Sequence, residues 1–485
     1  MYIGIDLGTS SVKLLLTSKL GKVIKTVSRK YPLIFPFESW SEQNPNEWYE
    51  KTIDGLQELV KGFENEIKGI SFSGQMHGMV LLDESDSVIR NAILWNDQRT
   101  TKEVDYLNDV IGKDNLMKYT GNIALTGLTI PKVLWVKANE PENFKRIAKV
   151  MLPKDYLIYK LTGLFTSDVS DTSGTLYYDV KNKKYSKEML EIMGLDESCF
   201  PNVIESYETV GLLKQEIKQL LDIKQDVNVI AGGGDQAVGA VGLGIVNNNQ
   251  ASISLGTSGV IFVAAEHFTP DNISHLQSYA HANGKYHIMG VMLSAAGAME
   301  WFNSNIIGDE DYDQLFKEIE QIDAKQELYF LPYLMGERSP INDPFAKGAF
   351  IGLSMAHTKY DLARSIIEGV TFALKDTLEL IRSLGINVEN IRITGGGAKS
   401  DFWCQLIANI MNVTVTTITT DEGPALGAAI LAMVGCGEYE TVEKACDSII
   451  KTNNTFVSNP ILYEIYQQKY AKFTQIYPSV KHLFL

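Results

Sequence analysis

The sequence predicts an α/β protein made of two domains on one plan, and three observations predict it. The chain has 485 residues, more than one hydrophobic core ordinarily serves. Strand-like runs alternate with amphipathic helical stretches along it, the pattern of an α/β fold. A glycine-centred stretch occurs twice, as "IDLGTSSVK" at 5–13 and "ISLGTSGVI" at 253–261, so Asp6 and Ser254 hold equivalent places 248 residues apart.

Each copy reads as a hairpin: an apolar strand, a turn at Leu-Gly-Thr-Ser, and a second apolar strand. The stretch "TSKLGKVIK" at 17–25 adds a further turn and a third strand. In "NPNEWYEKTIDGLQELVKG", Asn and Pro open a helix whose apolar residues include Trp48, Ile53, Leu56 and Val60. A strand at 67–73 then leads into the loop "SGQMHGMV". In the second half, "DLARSIIEGVTFALKDTLELI" predicts a long amphipathic helix, and a strand at 391–394 runs into "GGGAKSDFW", which opens another helix. The polar stretch "VNNNQ" at 246–250 separates the halves. The expected domains are therefore 1–245 and 246–437, followed by a helical tail at 438–485 that packs back on the first half.

Composition narrows the function. Hydrophobic residues make up 45% and charged residues 21%, as in ordinary globular proteins. The formal charge of −15 argues against a nucleic-acid surface, although one nucleotide held by backbone amides and a bound ion is compatible with it. The four cysteines have no metal spacing and read as buried free thiols. No basic, then apolar, leader opens the chain, and no apolar run is long enough for a membrane span, so a cytoplasmic protein is expected.

Five glycine-bearing loops at strand ends could carry chemistry. In the two hairpin turns, Thr9, Ser10 and Lys13 could hold one phosphate, and Gly256, Thr257 and Ser258 another; ordinary β-turns are the competing reading. Gly395, Gly396 and Gly397 lie between a strand and a helix start, a place suited to a nucleotide, yet neither a Walker A nor a dinucleotide fingerprint is present. Asp235, after three glycines in "AGGGDQ", reads either as a helix N-cap or as a general base for an attacking hydroxyl. Asp6 reads as a turn former or as a ligand of magnesium or its waters. In "SGQMHG", Gln75 and His77 could hydrogen-bond a polyol beside Met76, and Trp95, Asn96 and Asp97 form a polar-aromatic cluster suited to a sugar. No convincing His/Cys metal cluster or Ser-His-Asp set can be assembled.

Taken together and in order, "GIDLGTSSVK", "SGQMHG", "ILWNDQR", "LPKDYL", "AGGGDQ", "SLGTSG", "LPYLMGERSP", "GGGAKSDFW" and "GPALGAA" resemble the FGGY carbohydrate kinases over nearly the whole chain. The resemblance implies two actin-like (ribonuclease H-like) domains flanking a deep catalytic cleft, with sugar mainly on the first and ATP mainly on the second. It implies Asp235 as the base, and Asp6 at Mg2+ and the transferring phosphate. It further implies Met76 and His77 at the sugar, the two hairpins around the phosphates, and Gly395, Gly396 and Gly397 against adenosine. The paired hairpins would then be the phosphate grips of a duplicated fold. A second acid near the γ-phosphate would repel it, by about 4 kcal/mol at 4 Å and an effective dielectric near 20.

Within the family the likeness is to members that phosphorylate a ketopentose, D-xylulose at its terminal hydroxyl being the leading substrate. Many of those carry Asn where this chain has Gln236, which puts the sugar pocket rather than the reaction in question. Ribulose, gluconate and glycerol are the competing substrates; an acid would call for Lys or Arg in the first domain's cleft loops, and "SGQMHG" has neither. A non-catalytic actin-like protein is the other class, and it needs neither a base nor a polyol loop. A homodimer is expected from family analogy alone.

Overall fold

The computed structural model describes residues 1–271, 276–419 and 422–484. Its first half is built on a mixed sheet in the strand order Thr209–Leu212, Asn228–Ile230, Gly69–Gly74, Tyr2–Leu7, Ser11–Thr17, Val23–Lys30. The last three strands run as an antiparallel meander, while Gly69–Gly74 lies parallel to Tyr2–Leu7. The second half repeats this arrangement. Ala251–Leu255, Gly259–Ala265 and Tyr286–Met292 form the meander, and Asn390–Thr394 lies parallel to Ala251–Leu255. The short repeat in the sequence is therefore the visible trace of two sheets with one topology.

Local sequence explains the elements. The helix Pro45–Leu59 starts where Asn44 accepts from the Asn46 N–H, and it buries Trp48, Leu56 and Leu59. The predicted strand at 67–73 appears as Gly69–Gly74, buried throughout because helices and strands cover both its faces. The helix Lys359–Ser383 is closed at its start by a capping box of Thr358 and Asp361. Between the halves, the helix Asp235–Gly242 packs on Gly423–Gly435, and the latter also covers Tyr2–Leu7 and Gly69–Gly74.

Most of the tail corrects the expectation drawn for it. The strand Thr452–Phe456 joins the second sheet, and the helix Pro460–Val480 packs on Asp401–Met411 and Lys359–Ser383 of the second half. Tyr466 and Phe473 enter the second core, and Lys469 pairs with the buried Glu368. The expectation holds for the first part of the tail: Glu438 accepts from the Tyr2 hydroxyl, the Tyr439 hydroxyl donates to the Lys19 carbonyl, and the helix Val442–Ile449 sets Val442, Ala445 and Cys446 against Leu15, Val238 and Val241 of the first half. The four thiols are free; Cys404 and Cys446 are buried, Cys199 and Cys436 only partly. No helix among the described residues is long and apolar enough to cross a membrane.

Candidate active site

Two cavities meet at one hairpin. The larger, about 850 Å³, lies in the second half and is lined by Gly256, Thr257, Gly396, Gly397, Phe316 and Phe402, among others. The smaller, about 150 Å³, is lined from the first half by Met76, His77, Trp95, Asp235 and Gln236, and from the second by Ser258, Gln277 and Arg338. Consecutive residues Thr257 and Ser258 thus face different cavities. The bigger is of a size usual for a ligand site.

Asp235 opens the helix Asp235–Gly242, directly after the two-residue strand Gly233–Gly234 that pairs with Gly69–Gly74. It is the first residue inside the helix and Gly234 is the cap, so the N-cap reading fails. Gly234 must lack a side chain, since a Cβ there would lie 2.8 Å from Met76 Cγ. Burial pushes the Asp235 carboxyl up to about 7, and the charge of Asp6 adds to the rise, while hydrogen bonds from Gln236 hold it back. Burial likewise lifts Asp6 to about 6, opposed by the Ser73 hydroxyl and the charge of Lys13. Asp6 and Gly233 flank the same residue, Ser73, so the strand ends that carry the two acids lie at one end of one sheet.

A charged network lies behind this acid. Lys154 is wholly buried, with its ammonium 2.7 Å from Asp155 and 2.8 Å from Asp168. Burial alone would lower its pKa, but the surrounding carboxylates outweigh that and hold it above the ordinary range. Asp168 accepts from the Ser170 and Ser206 hydroxyls, and the Ser170 oxygen in turn accepts from the Gly234 N–H at 3.2 Å. The "LPKDYL" motif therefore fixes the backbone that carries Asp235.

His77 has φ of 67°, an unusual value for a non-glycine residue, which turns its ring toward the cavity. Its Nδ1–H donates to the Gly174 carbonyl at 2.7 Å, leaving Nε2 as an acceptor. Burial, first, and the nearby charge of Lys132 push its pKa down to about 3, so the ring is neutral. Buried Lys132 donates to the carbonyls of His77 and Gly127, and Thr129 donates to His77 as well. Trp95 donates its indole N–H to the Thr9 hydroxyl at 2.9 Å and so links the smaller cavity to the first hairpin.

Other expected residues lie elsewhere. Gln75 is buried outside the cavity, donating to Gln43, whose amide donates to the Thr9 carbonyl; it supports the turn. Asp97 is fully buried against Arg99 and accepts from the Ser41 N–H, so of the Trp-Asn-Asp cluster only Trp95 lines the cavity. Lys13 pairs with Glu422 across the halves. Ser10 lies exposed on the first turn, and Gly395 is exposed beside the larger cavity's Gly396. Sequence reasoning passed over Lys132 and Arg338, the latter inside the quoted "LPYLMGERSP", because a lone cation has no spacing signal.

Family models describe what this architecture is. The model of the N-terminal domain of the FGGY family of carbohydrate kinases matches residues 1–242, and that of the C-terminal domain matches 251–436. The chain belongs to the FGGY family of carbohydrate kinases. It is 40% identical to a xylulose kinase of Staphylococcus xylosus, over 92% of this chain and 93% of that one. Among solved structures, a protein titled xyloylose kinase from Brucella ovis superposes with a TM-score of 0.95 at 37% identity, covering 99% of each chain. A gluconate kinase from Lactobacillus acidophilus gives the same TM-score at 27% identity, over 99% of this chain and 98% of that one. The molecule is thus a sugar kinase, a phosphotransferase with an alcohol group as acceptor.

Proposed function

We propose that this FGGY kinase transfers the γ-phosphoryl of ATP to the terminal hydroxyl of D-xylulose, giving D-xylulose 5-phosphate and ADP. The observation that carries this reading is the hairpin partition: a nucleotide-sized cavity and a sugar-sized cavity share one wall, with an acid of pKa about 7 on the sugar side. ATP in the larger cavity would place its adenosine between Gly396–Gly397 and Phe316. Its phosphates would run along Gly256 and Thr257 toward Thr9 and Ser10.

Asp235 then accepts the proton of the attacking hydroxyl. A base whose pKa sits near working pH combines a useful ionised fraction with enough proton affinity. His77 Nε2 accepts from a sugar hydroxyl, Met76 and Trp95 wall the chain, and Gln236 offers an amide. Alignment of hydroxyl and phosphorus, with charge stabilisation, is most of what phosphoryl transfer asks of a protein.

Among the described residues no cluster of three or more His, Cys, Asp or Glu could hold a metal by itself. Asp6 alone suits Mg2+, which takes one or two carboxylates and fills its remaining positions with phosphate oxygens and water. Bound there, Mg2+ would neutralise charge on the transferring phosphate. A cytoplasmic location and a homodimer remain part of this reading by family analogy.

One observation favours a second substrate. The sugar cavity does contain a cation, Arg338, delivered by the second half rather than by the first-half loops, and a sugar acid such as gluconate would use it. An ADP-release assay decides between them, with xylulose, ribulose, gluconate, glycerol and fructose run side by side. Xylulose is expected to show the highest kcat/KM, by about 10-fold or more; gluconate in first place would replace the ketose reading.

A further inference from the structure

Arg338 lines the small cavity, half-buried, where the charges of Tyr279 and Glu337 act on it. Its guanidinium makes no ion pair or hydrogen bond among the described residues, although burial lowers its pKa. The backbone around it is firmly held. The Glu337 carboxylate accepts from the N–H groups of Leu293 (2.9 Å) and Arg338 (2.7 Å), and the Ser339 N–H donates to the Val291 carbonyl. Arg338 is therefore pinned to the end of the Tyr286–Met292 strand and projects from the second half.

Its position along the cavity is informative. Arg338 also lines the small crevice that adjoins the cavity beside Asn122, Gln277 and Asn342. Asp235 does not line that crevice, so the guanidinium extends to a side of the cavity that the base does not reach. An acceptor whose reacting hydroxyl lies at Asp235 would direct its other end at Arg338.

We propose that Arg338 is a specificity-determining residue that reads an sp² oxygen, a keto carbonyl or a carboxylate, at the end of the acceptor remote from the transferred phosphate. A planar fork of N–H donors suits such an oxygen better than it suits a hydroxyl, which also presents a proton. The inference rests on the kinase reading above, and it makes the second half a part of the sugar site. An acceptor is then fully bound only when both halves face it.

The test compares Arg338→Gln and Arg338→Lys with wild type on D-xylulose, on gluconate and on D-arabinitol, the last having no sp² oxygen. Circular dichroism and KM for ATP serve as controls for folding and for the nucleotide site. Arg338→Gln is expected to lose about 10- to 100-fold in kcat/KM on the preferred sp²-bearing substrate, mostly through KM. D-arabinitol and ATP should change little, and Arg338→Lys should recover part of the loss. Equal losses on D-arabinitol and the ketose, a raised KM for ATP, or no loss at all would each overturn the proposal. A wild type that prefers gluconate, with the loss following gluconate, would overturn the xylulose reading and leave the role of Arg338 standing.

Discussion

A neutral imidazole and a half-titrated carboxyl share the small cavity, and their surroundings explain both states. His77 loses its proton because it is buried near Lys132, and the Gly174 carbonyl fixes its tautomer. Asp235 keeps its proton up to about pH 7 because burial and Asp6 both penalise its charge. Replacing His77 by Ala should therefore raise KM for the sugar about 5- to 10-fold, the worth of one hydrogen bond, and leave KM for ATP unchanged. Steady-state kinetics with each substrate varied in turn checks this; equal changes in both constants would place His77 outside the sugar contact. At this scale the sequence showed Asp235, Met76 and His77 through their glycine-rich settings. Gln75 misled, because a polar residue beside a ligand loop looks the same whether it points into the cavity or braces the turn from behind. Arg338 was hidden because its cavity is assembled from residues more than two hundred positions apart.

Among the elements, the helices Asp235–Gly242 and Gly423–Gly435 pack backbone to backbone. A Cβ on Gly427 would meet the Val238 carbonyl at 1.9 Å, so only glycine allows the approach that sets Asp235 against the second half. The motif "GPALGAA" was read as a family marker, and its physical meaning is this crossing. Beneath the Asp235 loop, Lys154 balances buried Asp155 and Asp168. Removing it as Lys154→Met should cost about 3–5 kcal/mol, because two carboxylates would stay buried without a cation. Urea unfolding measures this, and a loss below about 1 kcal/mol would mean the network does not hold the loop. Amphipathic helices were legible from their period. The tail's destination was not, since it is set by partners distant in sequence: Lys469 with Glu368, Tyr470 with Asp376, and Thr452–Phe456 with the second sheet.

In the whole molecule, two copies of one sheet plan contribute to the site: the first half brings Asp235, Asp6 and His77, and the second brings the cavity lined by Gly256 and Gly396 together with Arg338. The duplication was visible as nine residues, while the rest of the two halves has diverged until only strand order records it. Lys13 and Glu422 tie the lobes by a partly exposed pair, a link worth little in stability. The central claim is that Asp235, ionised at the junction of two cavities, takes the proton from the sugar. The pH dependence of kcat/KM for D-xylulose tests it most directly, in wild type and in Asp235→Asn. The sign follows from the base: activity needs the carboxylate, so it is present above the pKa and falls about tenfold per unit below it. The wild type should show an acid limb near pH 7, shared with Asp6 as a coupled pair. Asp235→Asn should lose about 10²- to 10⁴-fold and bind ATP normally. A flat wild-type profile between about pH 5.5 and 8, or near-normal turnover in the variant, would contradict the account.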